Sequence, residues 1–487
     1  MNRDAFLFAE AEKLLGDLVA FPSLSRQENT GIIEYVETYL NRYGAHTTRI
    51  PISGDRWNLF ATIGPRKDGG LCLSGHLDVV PADVGGWNYP PYALTRETGR
   101  YYGRGTADMK GFLALVLAMV PVWADGGLKG GVSDGSPLSL QHEQPIHLAF
   151  TYDEEYGCSG APALIRELGV SLPKPEAVIV GEPTGMVPVL GHRGGTACCT
   201  EVRGLSTHSS NPEAGINAIY TAADLIRYLR DVYGRFADRP RKQCVFSPAY
   251  STISVGTISG GTARNVIPDY CGFEWEIRSL PGEDPGDTLR ELEEYGRSIL
   301  LPLLNGRSLV KQTDRASLDR RADGLSEESP EEQPEERSEE TPEVRTTRRK
   351  TGLSGERADC PLPNRASDLP AEVMTGPPVE LSADRSGGLS AKEAARSRPC
   401  PSIKTIIRSS YPALEPDQRS RALEWVRKAG CTAEPAVVNF GTEAGLYQQA
   451  GIPSVVWGPG NIEQAHTNDE FIMKKQLTAF LAHLRKL

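Results

Sequence analysis

No apolar run in this chain of 487 residues approaches the roughly 20 consecutive residues that a membrane-spanning helix needs, so a membrane partner is not expected. Cysteine is scarce: there are nine, an odd number, without the short paired spacings of a zinc ribbon. That excludes a dense disulfide framework and points to reduced thiols, with the neighbouring Cys198 and Cys199 read as packing groups. Basic charge is also short. Lys and Arg number 53 against 63 Asp and Glu, a net charge of −10, and no sustained basic face is left to bind nucleic acid. Asp4, Glu10 and Glu12 fall where a secretory signal would hold its apolar core. The end, Arg485-Lys486-Leu487, matches a peroxisomal address only in its last two residues, so a cytoplasmic location is the expectation.

What is present describes a globular protein, 39% hydrophobic and 24% charged, too long for one compact core. Residues 5–45 carry helical apolar spacing broken at Pro22. From 57 to 190 the pattern becomes strand, loop, helix, strand. Leu71–Ser74, Ile146–Phe150 and Ala177–Val180 are short apolar runs that read as strands buried on both faces, with a helix at Gly111–Val120 between them. This alternation predicts an α/β sheet with helices on its faces. A second unit starts near Arg193 and reads β-α-β-β-α, an α+β pattern that lacks one strand. Ile403–Arg408 is the candidate for that strand, although it lies about a hundred residues further on. The gap is rich in Ser, Pro, Glu and Arg, and Pro330, Pro334 and Pro342 break any helix its acidic stripe would form. Such a segment is expected to be a disordered insertion, as is a smaller one at 125–144. The expected division is therefore 1–191 and 413–487 for one unit, 192–307 and 401–412 for the other, and 308–400 for the insertion.

The chemistry-bearing residues cluster where the predicted buried strands end: His76 and Asp78, Glu154 and Glu155, Glu182, and His466 a short loop after Pro453–Trp457. Asp108 stands just before the predicted helix. Each has a plain structural reading. His76 and Asp78 could be unrelated, Asp108 an N-cap, and the paired glutamates a solvated rim. Together they set carboxylates and imidazoles along the carboxyl rim of a sheet, where open α/β sheets bind ligands. Adjacent buried carboxylates are costly unless cations neutralise them, so a metal site follows. Asp78, two residues from His76 on an extended segment, is placed to accept the second ring N–H of that imidazole.

Gly75-His76-Leu77-Asp78, Gly105-Thr106-Ala107-Asp108, Asp153-Glu154-Glu155, Gly181-Glu182-Pro183-Thr184 and Gln464-Ala465-His466 together resemble the zinc-dependent aminoacylase and carboxypeptidase superfamily. Phe440–Gly445, Gly458–His466 and Phe273–Asp284 resemble its acetylornithine deacetylase branch. The resemblance implies a two-domain α/β fold: a mixed-sheet zinc-peptidase catalytic domain interrupted by a ferredoxin-like lid and dimerisation domain. It implies two Zn2+ ions, with Co2+ as an acceptable substitute. Asp108 would bridge them, His76 and Glu182 would complete one site, and Glu155 and His466 the other. Glu154 would be the general base and Asp78 the partner of His76. A non-proline cis peptide is implied at Asp108-Met109. His208 would reach the active site, often that of a dimer partner. Asn265 and Arg264 would meet the substrate, and Glu443 its amine end.

The expected activity is removal of the acetyl group from N2-acetyl-L-ornithine by a homodimer. Another N-acyl amino acid, succinyl-diaminopimelate or a dipeptide would use the same catalytic residues. The reading from a different class is a metal-free homologue kept as a binding protein, and retention of every expected ligand counts against it. A thiol hydrolase is weaker, because no cysteine sits in a recognisable nucleophile context.

Overall fold

A computed structural model describes residues 3–82, 85–124, 144–305 and 400–487. The insertion expected at 308–400, apart from Cys400, and the smaller one at 125–144, apart from Gln144, lie outside the described residues. Two helices open the chain, α1 (Arg3–Val19) and α2 (Thr30–Arg42). In α2, Ile32, Ile33, Val36, Tyr39 and Leu40 recur at helical spacing and are all buried.

Strands β1 (His46–Ser53), β2 (Arg56–Ile63), β3 (Leu71–His76), β6 (Ile146–Thr151), β7 (Ala177–Val180), β8 (Val189–His192), β13 (Ala436–Val438) and β14 (Ser454–Val456) form one eight-stranded sheet. Its order is β1-β2-β6-β3-β7-β14-β8-β13, and the four central strands β6, β3, β7 and β14 run parallel. These strands are buried on both faces because their side chains alternate between two apolar layers. Leu71, Leu73, Leu148, Phe150 and Ile179 pack into one core, while Cys72, Ala149, Val178 and Val180 pack into the other. The first core is filled by α1, by α3 (Gly111–Trp123) and by the closing helix Lys474–Leu484. The stretch Thr106–Trp123 has the length and composition of a membrane span, but it is 94% buried inside the protein and serves as the central core helix.

The second module is a four-stranded antiparallel sheet of β9 (Gly194–Arg203), β10 (Thr252–Gly260), β11 (Tyr270–Ser279) and β12 (Ser402–Tyr411), ordered β10-β11-β9-β12. Helices α4 (Ala218–Asp238) and α5 (Pro285–Tyr295) cover it, with Leu225, Leu229 and Leu292 packed on Phe273, Trp275 and Ile277. Order and connectivity are ferredoxin-like, and β12 is the missing strand expected at 403–408. The small module leaves the large sheet at His192 and returns at Leu414, and these two residues exchange backbone hydrogen bonds of 3.0 and 3.2 Å.

A third, small sheet has no counterpart in the reading of the sequence. Strand β15 (Phe471–Met473) pairs with β5 (Arg100–Tyr102), which pairs with β4 (Thr95–Glu97). Three-residue strands leave too short a pattern to be seen in a sequence.

Candidate metal centre

The register of the parallel strands levels their carboxyl ends. His76 lies opposite Thr151, and Ser74 lies opposite Val180, so Glu182 emerges beside His76. Backbone bonds carry this order past the strand ends, from Leu77 N–H to Thr151 O at 2.9 Å and from Gly181 N–H to Ser74 O at 3.0 Å. Gly181 is needed where the chain turns toward Glu182, because a Cβ there would sit 2.2 Å from the Phe112 ring.

Asp108 lies in an irregular turn (φ −125°, ψ 92°) ahead of α3 and caps nothing. The peptide that follows it, Asp108-Met109, is cis, as the resemblance implied. Its two carboxylate oxygens face different imidazoles. Oδ1 is 3.0 Å from His76 Nε2, and Oδ2 is 3.5 Å from His466 Nε2. Around the first imidazole, Glu182 Oε1 stands 3.8 Å from His76 Nε2; around the second, Glu155 Oε2 stands 2.9 Å from His466 Nε2. The result is two groups sharing one member: His76, Asp108 and Glu182, then Asp108, Glu155 and His466, each with its donor atoms within 4.8 Å of one another.

Charge in this cluster is unbalanced. Burial, and next the charge of Asp108, push Glu155 up to about 6. Burial raises Glu182 and Glu154 well above the usual carboxylate range, with Asp108 reinforcing it at Glu182 and the neighbouring Glu155 at Glu154. At His76 burial works against protonation, yet the hydrogen bond to Asp108 and the charge of Glu182 prevail and raise it. For Asp108 burial is likewise outweighed, by the hydrogen bond and charge of His76 and the charge of His466. Glu182 Oε1 is buried without a hydrogen-bond partner. Crowded carboxylates, two imidazoles and an orphaned buried oxygen are a donor set of nitrogen and oxygen suited to divalent cations, so the residues fit the two ions that the resemblance implies.

Glu154 belongs to neither group. Its backbone N–H donates to Asp78 Oδ1 at 3.1 Å, that of Glu155 donates to Asp78 Oδ2 at 3.2 Å, and Ser25 Oγ adds a bond of 2.8 Å. The expected partnership of Asp78 and His76 is thereby revised. His76 Nδ1 meets the backbone carbonyl of Asp78 at 2.8 Å, while the nearer carboxylate oxygen stands at 3.6 Å. The Asp78 carboxylate instead fixes the loop that carries both glutamates.

The remaining expected residues are placed differently. His208, Arg264 and Asn265 are exposed and close together on neighbouring loops of the small module, where Ser209 N–H bonds to Asn265 O at 2.9 Å and His208 bridges to Val266. No hydrogen bond or ion pair joins them to the metal cluster among the described residues. Glu443 is only 1% exposed, and its Oε2 accepts from Thr151 Oγ1 at 2.9 Å. Burial pushes it up to about 7. Its other oxygen, Oε1, is buried without a hydrogen-bond partner, and its charge helps to raise Glu154.

Three positions escaped the sequence. Asp153, buried at φ 63°, anchors the glutamate loop to Arg56 and to the N–H of Arg26. Cys158 Sγ donates to Glu154 Oε1 at 3.3 Å. Glu470 is buried beside Arg104. Asp153 and Glu470 depend on contacts between distant segments, and Cys158 is a thiol four residues from Glu154 that no recognisable motif singles out.

Residues 72–487 match the pattern of the family described as Peptidase family M20/M25/M40. An acetylornithine deacetylase of Pasteurella multocida is 35% identical over 295 residues, which cover 59% of this chain and 71% of that one. One from Proteus mirabilis is 33% identical over 299 residues, covering 60% and 71%. Among solved structures, a di-peptidase of Saccharomyces cerevisiae superposes with a TM-score of 0.60 over 99% of this chain and 97% of its own, at 13% identity, a likeness of fold. The chain belongs to peptidase family M20/M25/M40 and is a metal-dependent amidohydrolase.

Proposed function

We propose that this protein removes the acetyl group from N2-acetyl-L-ornithine, giving L-ornithine and acetate, with two zinc ions held by the cluster around Asp108. The observation that carries the two-ion reading is the division of the Asp108 carboxylate, one oxygen toward His76 and the other toward His466. The substrate is supported by the relatives named acetylornithine deacetylase.

His76, Asp108 and Glu182 would hold one ion, and Asp108, Glu155 and His466 the other. Two divalent ions bound there would supply Lewis acidity toward the scissile carbonyl and would acidify a water at neutral pH. Glu154, beside both groups and a member of neither, is the proton carrier: its carboxylate takes a proton from the attacking water and returns it to the leaving amine. Asp78 holds Glu154 at its post through the backbone of the glutamate loop. Arg264 and Asn265, on the small module, are assigned to the α-carboxylate of the substrate, and His208 to the carbonyl oxygen. An exposed His208, joined to its own chain's cluster by no hydrogen bond or ion pair among the described residues, suits a homodimer in which each subunit completes the other's site.

A hydrolysis panel on the zinc-loaded protein tests the substrate: N-acetylornithine, N-acetylmethionine, succinyl-diaminopimelate and a dipeptide. The proposal expects the highest kcat/KM with N-acetylornithine. Preference for any other member refutes the substrate assignment while leaving the metal chemistry in place.

A further inference from the structure

The short pairing of β5 with β15 brings two site loops together. Tyr102 pairs with Phe471, and the ladder continues as Gly103 N–H bonds to Glu470 O at 2.9 Å. One chain then runs on to Asp108, while the other runs back four residues to His466. Between them sits the Glu470 side chain, 1% exposed. Its Oε1 accepts the backbone N–H groups of Ala107 at 2.9 Å and of Asp108 at 3.1 Å. Its Oε2 accepts the N–H of Gly105 at 2.9 Å and Arg104 Nη1 at 2.8 Å. Arg104 in turn reaches Thr467 O at 3.4 Å and Pro81 O at 3.3 Å, and lies 5.0 Å from the Trp87 ring centre.

We propose that Glu470 is a positioning residue for the shared metal ligand: it sets the backbone of Asp108 and ties it to the loop that offers His466. Several N–H groups of the 105–108 turn, which lies ahead of α3, converge on this carboxylate. A carboxylate with two acceptor oxygens satisfies both halves of this nest at once. A glutamine has one acceptor oxygen, so its NH2 group would face either Gly105 and Arg104 or Ala107 and Asp108, donor against donor. The turn would shift, and Asp108 with it. Asp108 serves both ligand groups, so a displacement there is felt at both.

This inference rests on the two-ion reading of Asp108. The test measures zinc affinity of the full-length protein by competition with a chromophoric chelator, together with kcat and KM at saturating zinc. Glu470→Gln is expected to weaken zinc binding by about 10- to 100-fold, the range seen when a partner of a ligand is removed. It should lower kcat with KM little changed. Glu470→Asp keeps the charge at shorter reach and should recover part of the affinity. Wild-type zinc affinity in folded Glu470→Gln overturns the proposal, even if the thermal midpoint of the metal-free protein falls. Should that variant not fold, Glu470→Asp serves in its place: its shorter reach cannot satisfy the whole nest, and wild-type affinity there overturns the proposal equally. Asp108→Asn is the control. If it too retains wild-type affinity, the two-ion reading fails; if it loses zinc while Glu470→Gln does not, only the positioning role fails.

Discussion

Replacing Glu154 by glutamine separates proton transfer from everything else the glutamate loop does. The backbone N–H of Glu154 bonds to Asp78 Oδ1, a contact the substitution leaves in place. Its side-chain oxygen accepts from Cys158 Sγ at 3.3 Å, and an amide oxygen can do the same. Neither ligand group includes this residue, so zinc should stay. What disappears is the proton acceptor, and a positioned base contributes about 10²- to 10⁴-fold, or ~3–5 kcal/mol of barrier. Stability should move the other way. Burial first, then the nearby Glu155 charge, hold the folded-state pKa of Glu154 well above that of an unfolded carboxylate. A raised acid gives its full stability below the unfolded pKa and loses it as pH climbs toward the folded value. Glutamine removes that loss. The metal-free Glu154→Gln protein should therefore have a Tm at neutral pH no lower than wild type, and a smaller fall in Tm between about pH 5 and 8. Three measurements decide it: turnover of N-acetylornithine, zinc per subunit by elemental analysis, and Tm against pH with chelator present. Full activity removes Glu154 from the mechanism, loss of zinc makes it a ligand, and a lowered metal-free Tm refutes the electrostatic account.

His208→Ala should spare zinc binding and dimerisation while reducing turnover, and mixing it with Glu154→Gln should restore activity through one intact composite site. No recovery under conditions shown to exchange subunits would confine His208 to its own chain or remove its role. His192 is buried with Nε2 unpartnered, and burial depresses it to about 4. A depressed base keeps its contribution above the unfolded pKa and loses it as pH falls from about 6.5 to about 4, at most ~3 kcal/mol for one group. His192→Gln should flatten the acid limb of metal-free stability, and an identical slope would sink the assignment. Gly181→Ala would set a methyl against the Phe112 ring and should cost about 1–3 kcal/mol, with Phe112→Leu recovering part; a wild-type Tm for the single variant would contradict the packing.

The rim of the site was legible because burial writes itself into sequence. Leu71–Ser74, Ile146–Phe150 and Ala177–Val180 are apolar on both faces, and the polar residue that ends each run had to face the open edge of the sheet. The small module was legible for a related reason: its β-α-β-β-α order leaves a sheet one strand short, which made 403–408 the expected partner of a strand some two hundred residues earlier. Partners across space were harder. A carboxylate two residues from a histidine suggests a bond between the side chains, yet at Asp78 the backbone carbonyl takes that place and the carboxylate turns to the glutamate loop. Glu443 follows a glycine and a threonine with no apolar pattern to announce its burial, but Gly445 lets the backbone of Pro412 and Ala413 approach, and the carboxylate ends up enclosed. Glu470 follows Asn468 and Asp469 and reads as the start of the closing helix, which begins instead at Lys474. Only the β5–β15 pairing shows what it holds.

The exchange of backbone bonds between His192 and Leu414 has an evolutionary consequence. A guest whose entry and exit lie side by side asks little of its host, since the host can close the gap with a tight turn and keep its own strand order. Gain, loss or replacement of the inserted module by a single recombination event would leave the rim of His76, Glu155 and Glu182 undisturbed. The guest, carrying the exposed His208, Arg264 and Asn265, could then diverge in what it admits while the host went on performing the same hydrolysis.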